Sequence, residues 1–190
     1  MLQPMAIALV HHPVLDRRGD LVTSAVTNLD IHDLARLAVT YNLSRYYLVT
    51  PAAEQQLLVV RITSHWQEGA GASYNPDRCQ ALDCLRVMNT FDDALADWRA
   101  LAGSPGLALL TGARHREGID FPQARALAAR HPLLLVFGTG HGLAPAIYAA
   151  DRPCLAPVRA GHYNHLSVRT AAAIVLDRLI GEDGAVLPLT

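Results

Sequence analysis

The run Gly138-Thr139-Gly140-His141-Gly142, called here the glycine loop, is the segment whose residue types and spacing best suit chemistry. It follows the apolar run 133–137, which predicts a buried strand. Glycine permits positive φ angles and lets backbone amides approach a ligand closely. The pattern predicts a cradle for a nucleotide or cofactor, and a simple tight turn is the alternative.

The glycine loop departs from the dinucleotide-binding fingerprint. Leu143 stands where G-x-G-x-x-G requires its third glycine, and no Asp or Glu follows about 20 residues further on. The loop also comes late in the chain, whereas a dinucleotide-binding domain begins with its glycine-rich turn. An NAD-dependent oxidoreductase is therefore a disfavoured alternative.

Three further loops carry polar side chains that suit ligand binding. The stretch 159–165 holds a tyrosine, an asparagine and two histidines, and opens the last predicted helix, whose free amides can bind a ligand. The turn 112–116 contains two arginines. They predict a phosphate-binding clamp, and a solvated surface is the alternative. His11 and His12 end the first predicted strand, and because adjacent side chains point oppositely, at most one faces a site.

The elements that must position these loops alternate along the chain. Apolar runs predict buried strands, and apolar residues at helical spacing predict helices between them. This alternation indicates an α/β fold, a parallel sheet with helices on both faces, which binds ligands beyond the carboxyl ends of its strands. The predicted strands are 6–10, 46–50, 85–88, 107–110, 133–137 and 154–158. The predicted helices are 31–41 (capped by Asn28 or Asp30), 53–66, 91–102, 122–130, 145–149 and 165–180, and 69–76 is predicted to be a loop.

The composition fits one domain over residues 1–190, with 51% apolar residues and a formal net charge of −1. All 16 basic residues are arginines, which excludes a P-loop lysine and Schiff-base chemistry. The near-neutral charge argues against a broad basic surface, so nucleic acid would need a local arginine patch. Three cysteines without a C-x-x-C pair support neither disulfides nor a metal site. Without a membrane span or a signal peptide, we expect a cytoplasmic protein.

Taken together, these segments resemble the SPOUT class of S-adenosylmethionine-dependent RNA methyltransferases. The resemblance is closest to a bacterial subfamily that is sometimes fused to a tRNA guanine-N1 methyltransferase domain, and it covers essentially the whole chain. Segments 133–143 and 155–180 look like the second and third motifs of the class, and 111–114 is similar to the turn after the preceding strand. Segments 11–16, 26–42 and 46–51 look like the N-terminal signature of the subfamily.

The resemblance implies a C-terminal trefoil knot, a homodimer, and S-adenosylmethionine held in a bent shape by three loops. Adenine would lie among backbone groups of the third motif, and the glycines would make room for the ribose and methionine portions. The cofactor-binding residues implied in this way are Thr111, Gly112, Phe137, Gly138, Gly140, Gly142, Leu155, Pro157, Tyr163, Asn164, Leu166 and Ser167.

The resemblance also implies an RNA substrate, tRNA or rRNA. An acceptor such as a ribose hydroxyl or guanine N1 must lose a proton, so a catalytic base is needed. The candidates for this catalytic role are His12, Arg36 and His141. The residues predicted to contact RNA phosphates are Arg17, Arg18, Arg114, Arg116, Arg159 and Arg169.

Two positions depart from the pattern of the class. His141 stands where many ribose-methylating members carry glutamate, and Ser167 stands where asparagine is usual. These departures leave the acceptor open between ribose and base. They also leave open a non-catalytic module that binds S-adenosylmethionine or RNA and assists another RNA-modification enzyme.

Overall fold

A parallel five-stranded sheet forms the centre of the computed structural model, which describes residues 1–68, 70–103, 105–114, 118–148, 152–159, 163–181 and 185–189. Its strand order is β5-β4-β1-β7-β6, and β2 and β3 form a separate antiparallel hairpin. The strands are β1 (Met5–Val10), β2 (Val14–Leu15), β3 (Leu21–Val22), β4 (Arg45–Val49), β5 (Leu85–Met88), β6 (Leu107–Leu110) and β7 (Leu133–Gly138).

Seven α-helices cover this sheet in the part of the chain that the structure describes. They are α1 (Asn28–Thr40), α2 (Ala53–Gln67), α3 (Ala70–Tyr74), α4 (Pro76–Leu82), α5 (Phe91–Ala102), α6 (Phe121–Ala128) and α7 (Val168–Ile180), and Pro145–Ile147 forms a short 3-10 helix. No helix among the described residues is long and apolar enough to cross a membrane.

The two faces of the sheet bury two separate apolar cores. One core packs α1, α2, α4, α6 and α7 against one face. The other packs α5 and the 3-10 helix against the opposite face, with the fully buried Trp98 at its centre. Alternate residues of β1 enter alternate cores, Ile7 the first and Ala8 the second, as the period of two in a strand requires. The predicted α/β fold with helices on both faces is confirmed.

Local capping signals set several helix starts. Thr90 and Asp93 form a reciprocal capping box that opens α5, as the sequence predicts. The start of α1 differs from expectation, because Thr27 rather than Asn28 or Asp30 is the cap and accepts from the Asp30 backbone N–H at 3.2 Å.

Three predicted elements are wrong. Residues 69–76 are not one loop, since α3 occupies Ala70–Tyr74 and Asn75 caps α4, accepting from the Arg78 backbone N–H at 3.0 Å. Residues 154–158 do not form a strand. Cys154 and Leu155 make only isolated bridges, to Leu110 and to Ile119 respectively, because each pairs with a different segment and neither pairing extends into a continuous ladder. The last helix begins at Val168 rather than 165, where Ser167 caps it.

Candidate functional site

A cavity of about 1130 Å³ opens beyond the carboxyl ends of β6 and β7. Its walls come from four stretches of chain that are distant in sequence: residues 15–30, 111–114, 137–148 and 155–175. This is the edge where ligands bind in open parallel sheets. The glycine loop that follows β7 lies in its wall, as the sequence predicts.

Close backbone packing explains two glycines of this loop. Gly140 has a φ of +58°, and a Cβ there would lie 2.8 Å from the carbonyl oxygen of Leu15. A Cβ on Gly138 would lie 2.8 Å from the backbone nitrogen of Leu143. The His141 backbone N–H also donates to the Leu15 carbonyl at 2.8 Å. The β2 hairpin therefore fixes the loop in a shape that side chains at these two glycines would disrupt.

Hydrogen bonds tie the other two loops to the same frame. Thr111 anchors the turn after β6, because both its backbone N–H and its hydroxyl donate to the Val136 carbonyl at 2.9 Å. The Asn164 side chain donates from Nδ2 to the Ala113 carbonyl at 3.1 Å. The segment before α7 is thereby joined to the turn after β6, which closes one side of the cavity.

Residues 153–156 run between two other parts of the chain. Leu110 exchanges backbone hydrogen bonds of 2.9 and 2.8 Å with one edge of this segment, and Ile119 exchanges two of 2.8 Å with the opposite edge. A Cβ on Gly118 would lie 2.6 Å from the Ala156 backbone nitrogen. Residues 153–156 are therefore hydrogen-bonded on both edges, to Leu110 at the end of β6 and to Ile119 further along the chain. We call this arrangement the clasp.

The structure brings together all the predicted cofactor-binding residues except one. The cavity is lined by Thr111, Gly112, Phe137, Gly138, Gly140, Gly142, Leu155, Pro157, Asn164, Leu166 and Ser167. Tyr163 is absent from this lining, is 79% exposed, and places its ring 5.3 Å from that of His165.

The three candidate catalytic residues do not converge in this chain. His141 lines the cavity. His12 does not, and its Nδ1 instead lies 3.0 Å from the Thr23 hydroxyl. Arg36 is exposed on α1 and is also outside the cavity lining.

Of the arginines predicted to contact RNA, only Arg114 combines exposure with a place in the cavity wall among the described residues. Arg17 and Arg18 are exposed in the hairpin turn between β2 and β3, and Arg159 is exposed after the clasped segment. Arg116 lies outside the described residues.

Arg169 lines the cavity but is held by two carboxylates. Its Nη1 lies 2.7 Å from Asp30 Oδ1, and its Nε lies 3.2 Å from Asp33 Oδ2. Asp30 is buried and also accepts from the Thr27 hydroxyl at 2.6 Å. Arg169 is therefore first a structural link between α7 and α1, and its charge is already neutralised.

Sequence reasoning missed a polar network beside the glycine loop. The hydroxyls of Ser24 and Thr139 line the cavity and are hydrogen-bonded to each other. Ser24 Oγ also lies 3.0 Å from Nδ1 of His11, which is fully buried. Burial lowers the pKa of His11 to about 4, partly opposed by Asp30, so its ring is neutral at neutral pH. In the sequence, only the His11-His12 pair indicates polar side chains at this place, since Ser24 belongs to no recognisable motif.

With the geometry described, comparison with known proteins identifies the family. Residues 4–181 match the model of a family described as SAM-dependent RNA methyltransferase. The chain belongs to this family. The predicted family, whose description names S-adenosylmethionine as the cofactor, is confirmed.

Two relatives support the assignment. The chain is 42% identical over 176 residues to a protein of Oleidesulfovibrio alaskensis named tRNA (guanine-N(1)-)-methyltransferase, covering 92% of this chain and 41% of that protein. The chain thus spans about two fifths of the length of that relative. It is 34% identical over 181 residues to an uncharacterised protein of Aquifex aeolicus, covering 93% of this chain and 88% of that one.

Solved structures share the fold at low identity. A putative methylase family protein of Neisseria gonorrhoeae is 17% identical with a TM-score of 0.62, covering 98% of this chain and 86% of that one. The SpoU methyltransferase AviRb of Streptomyces viridochromogenes, solved in complex with AdoMet, is 17% identical with a TM-score of 0.58 and covers 94% and 57%. These likenesses show that the α/β fold, a parallel sheet flanked by helices, is shared with these proteins.

The cavity suits the cofactor of this family. Its volume of about 1130 Å³ exceeds what a drug-sized ligand needs, which is roughly 300–1,000 Å³. Leu155, Pro157 and Leu166 give one side an apolar lining for a purine ring. Within the glycine loop, Gly142 borders open space, because no atom lies within 4 Å of its Cβ position. Among the described residues, no three His, Cys, Asp or Glu side chains cluster as a metal site requires.

Proposed function

We propose that this chain binds S-adenosylmethionine in the cavity beyond β6 and β7 and transfers its methyl group to RNA. The observation that carries the proposal is the convergence of three loops, at 111–114, 138–142 and 155–167, on one cavity in a chain of this family. Each loop is fixed by backbone or Asn164 hydrogen bonds, so the cavity is formed before a ligand arrives.

The chemistry divides between the cofactor and the chain. S-adenosylmethionine supplies a methyl group on a sulfonium, a good leaving group. The protein must hold the acceptor in line with that methyl, and such placement accounts for much of the rate. His141 is the candidate base nearest this reaction, since it lines the cavity while His12 and Arg36 do not. We therefore assign to its imidazole the removal of the acceptor proton.

We propose tRNA as the first substrate to test and rRNA as the second. The support is the name of the Oleidesulfovibrio relative, of which this chain matches only one part. Arg17, Arg18, Arg114 and Arg159 are exposed and available for phosphates. Arg169, which is paired with Asp30, supports the site by linking α7 to α1. An RNA substrate also supports a cytoplasmic location.

We further propose that the whole chain is one methyltransferase domain with a trefoil knot. The hydrogen bonds of residues 153–156 to Leu110 on one edge and to Ile119 on the other support a threaded chain, because the segment runs between two parts of the chain that precede it. Such threading is a rare exception among protein folds.

A homodimer is part of the same proposal. Leu29 on α1 is 57% exposed, and Leu166 in the cavity wall is 42% exposed. Tyr163 is also exposed beside this wall. A second copy covering these side chains would bury apolar surface and supply residues at the mouth of the cavity.

Calorimetric titration with S-adenosylmethionine, S-adenosylhomocysteine and NAD tests the cofactor. Binding of the first two near one per chain, without NAD binding, is expected. Asn164→Ala should weaken both, because it unties the segment before α7 from Ala113. No binding by a folded protein would contradict the proposal.

Transfer of labelled methyl groups to tRNA and rRNA from a strain lacking the gene tests the reaction. Incorporation that His141→Ala reduces about a hundredfold or more is expected for a catalytic base. Binding of cofactor and RNA without methyl incorporation would instead support the non-catalytic module. The position of Arg36 outside the cavity lining favours that alternative.

A further inference from the structure

A second pocket lies on α1, remote from the glycine loop. Its volume is about 450 Å³, and none of its lining residues lines the cofactor cavity. We call it the Trp66 pocket, and it is lined by Asn28, His32, Arg61, His65, Trp66 and Arg78, with Ile62 beside them. These residues come from α1, α2 and α4.

Helical spacing builds the Trp66 pocket. Asn28 and His32 are four residues apart on α1, and Arg61 and His65 are four apart on α2, so each pair shares one helix face. Two polar helix faces therefore meet at one groove. Arg78 enters from α4 and completes it.

The Trp66 indole contacts three of the side chains that line the pocket. The rings of His32 and His65 contact it edge-on, with centroids at 5.8 and 5.1 Å, and the Arg78 guanidinium carbon lies 4.3 Å from its centroid. Gly71 lets α3 approach, because a Cβ there would lie 2.7 Å from the indole. The aromatic ring thus fixes the position of one guanidinium.

The charges of the pocket are not balanced within the described part of the chain. Neither Arg61 nor Arg78 forms an ion pair there. Arg78 Nε and His32 Nδ1 are buried polar atoms without a hydrogen-bond partner. The nearby carboxylate of Asp33 is engaged by Arg169 at 3.2 Å. In a chain of net charge −1, this unpaired cluster calls for an anion.

We propose that the Trp66 pocket binds a backbone phosphate of the RNA substrate. Two guanidiniums beside an aromatic ring form the combination that nucleic-acid grooves use for phosphate and base, and the indole here is half-buried. The pocket and the cofactor cavity lie on different sides of α1, which carries Asp30 in one and His32 in the other. An α-helix with its side chains is about 10–12 Å across, so an RNA strand that crosses α1 can reach both.

This inference rests on the proposed RNA methyltransferase function, and it adds a place where the substrate is held away from the reaction. Binding of unfractionated tRNA should be measured for the wild type, for Arg61→Glu, and for Arg130→Glu as the matched control. Both arginines are exposed, but Arg130 follows α6 and lies outside the pocket. The control therefore reports the effect of charge reversal alone.

Arg61→Glu should lower tRNA affinity by roughly three- to tenfold and make its salt dependence shallower by about one phosphate contact. The control should do neither, and S-adenosylmethionine binding should stay unchanged in both. Arg61→Gln, which keeps the helix without adding a charge, should give a smaller loss in the same direction. Equal affinities in Arg61→Glu and Arg130→Glu would overturn the inference while leaving the proposed function intact.

Titration with inorganic phosphate and with adenosine monophosphate separates RNA from a free phosphate compound. Trp66 fluorescence, identified by its loss in Trp66→Phe, should change with tRNA well below the concentration at which either small anion acts. Saturation by a small anion with no effect of Arg61→Glu on tRNA binding would assign the pocket to that metabolite class and refute the RNA role. A wild type that binds neither tRNA nor S-adenosylmethionine would refute the proposed function itself.

Discussion

Asp30 links the start of α1 to α7 through one buried carboxylate. It accepts from Thr27 at the start of α1 and pairs with Arg169 of α7, and its side chain is only 6% exposed. The sequence predicts Asp30 or Asn28 as the cap of α1, whereas Thr27 is the cap and Asp30 lies in the first turn of the helix. Its pairing with Arg169 spans 139 residues of sequence and has no local signature.

Arg169→Gln should destabilise the fold by about 2 kcal/mol, because it leaves a buried carboxylate without its cation. Urea unfolding monitored by circular dichroism measures the change. Asp33→Asn is the control, since Asp33 is 48% exposed and its pairing is expected to contribute less than about 1 kcal/mol. Equal losses in the two variants would mean that the buried pair has no special role.

His11 should make stability depend on pH. Its pKa is lowered by burial to about 4 in the folded protein, whereas the unfolded value is 6.5. The unfolded chain therefore binds more protons between these values, and stability falls as pH decreases through that window. The loss attributable to His11 should be on the order of 2–3 kcal/mol between pH 7 and 4.5. His11→Gln should show a correspondingly flatter profile in urea unfolding, and an unchanged slope would contradict this account.

Gly140→Ala should destabilise the protein by about 1–3 kcal/mol and weaken S-adenosylmethionine binding, because it combines a positive φ with a collision against the Leu15 carbonyl. Gly142→Ala separates the effect of the positive φ from that of the collision with backbone. Gly142 has a φ of +114°, but no atom lies within 4 Å of its Cβ position. Thermal melts and calorimetry should show the larger loss of affinity at Gly140, and equal binding by both variants would contradict this role of the hairpin.

At the scale of elements, the helices and strands that the sequence predicts correctly contain local sequence signals. The capping box of Thr90 and Asp93 and the apolar periodicity after it define α5, and continuous apolar runs define the central strands. The errors occur where a neighbouring segment decides the structure. Residues 70–74 form a helix in which Gly71 packs against Trp66, and residues 154–155 bridge two segments that no local pattern could specify.

Thr90→Ala should lower stability by about 1 kcal/mol, because it removes the cap of α5. Thr90→Ser, which keeps the hydroxyl, should retain most of that stability. Since α5 lies on the opposite face from α1 and α7, neither variant should change S-adenosylmethionine affinity. Denaturant unfolding and calorimetry test the two expectations, and an affinity loss in Thr90→Ala would show coupling across the sheet.

At the scale of the molecule, the sheet brings loops to one edge and so predicts where the cavity lies, though not its detailed shape. The alternation of strands and helices predicts that the glycine loop lies at this edge, whereas the part played by residues 155–167 is implied by the resemblance to the SPOUT class. It could not reveal the Trp66 pocket, whose lining comes from three helices, or the Ser24–Thr139 contact. Such contacts depend on tertiary packing, which leaves no periodic trace in a single sequence.

Gly118→Ala tests the clasp around residues 153–156. Its Cβ would meet backbone atoms at 2.6–2.7 Å, which cannot move as the end of a flexible side chain can. We expect a loss of about 1–3 kcal/mol in stability. Slower refolding should accompany it if the segment must pass the turn. Wild-type stability and refolding rate in this variant would contradict a tight enclosure.

The strand order also has a consequence during synthesis on the ribosome. Of the strands in this sheet, β1 is made before the others and occupies the middle, yet its partner β7, which pairs Leu133 with Met5, is made much later. Until α7 (Val168–Ile180) is also made, the cavity lacks the side that α7 supplies. A nascent chain without α7 therefore has an incomplete cavity, and we expect ligand binding to distinguish chains that contain α7 from shorter nascent ones.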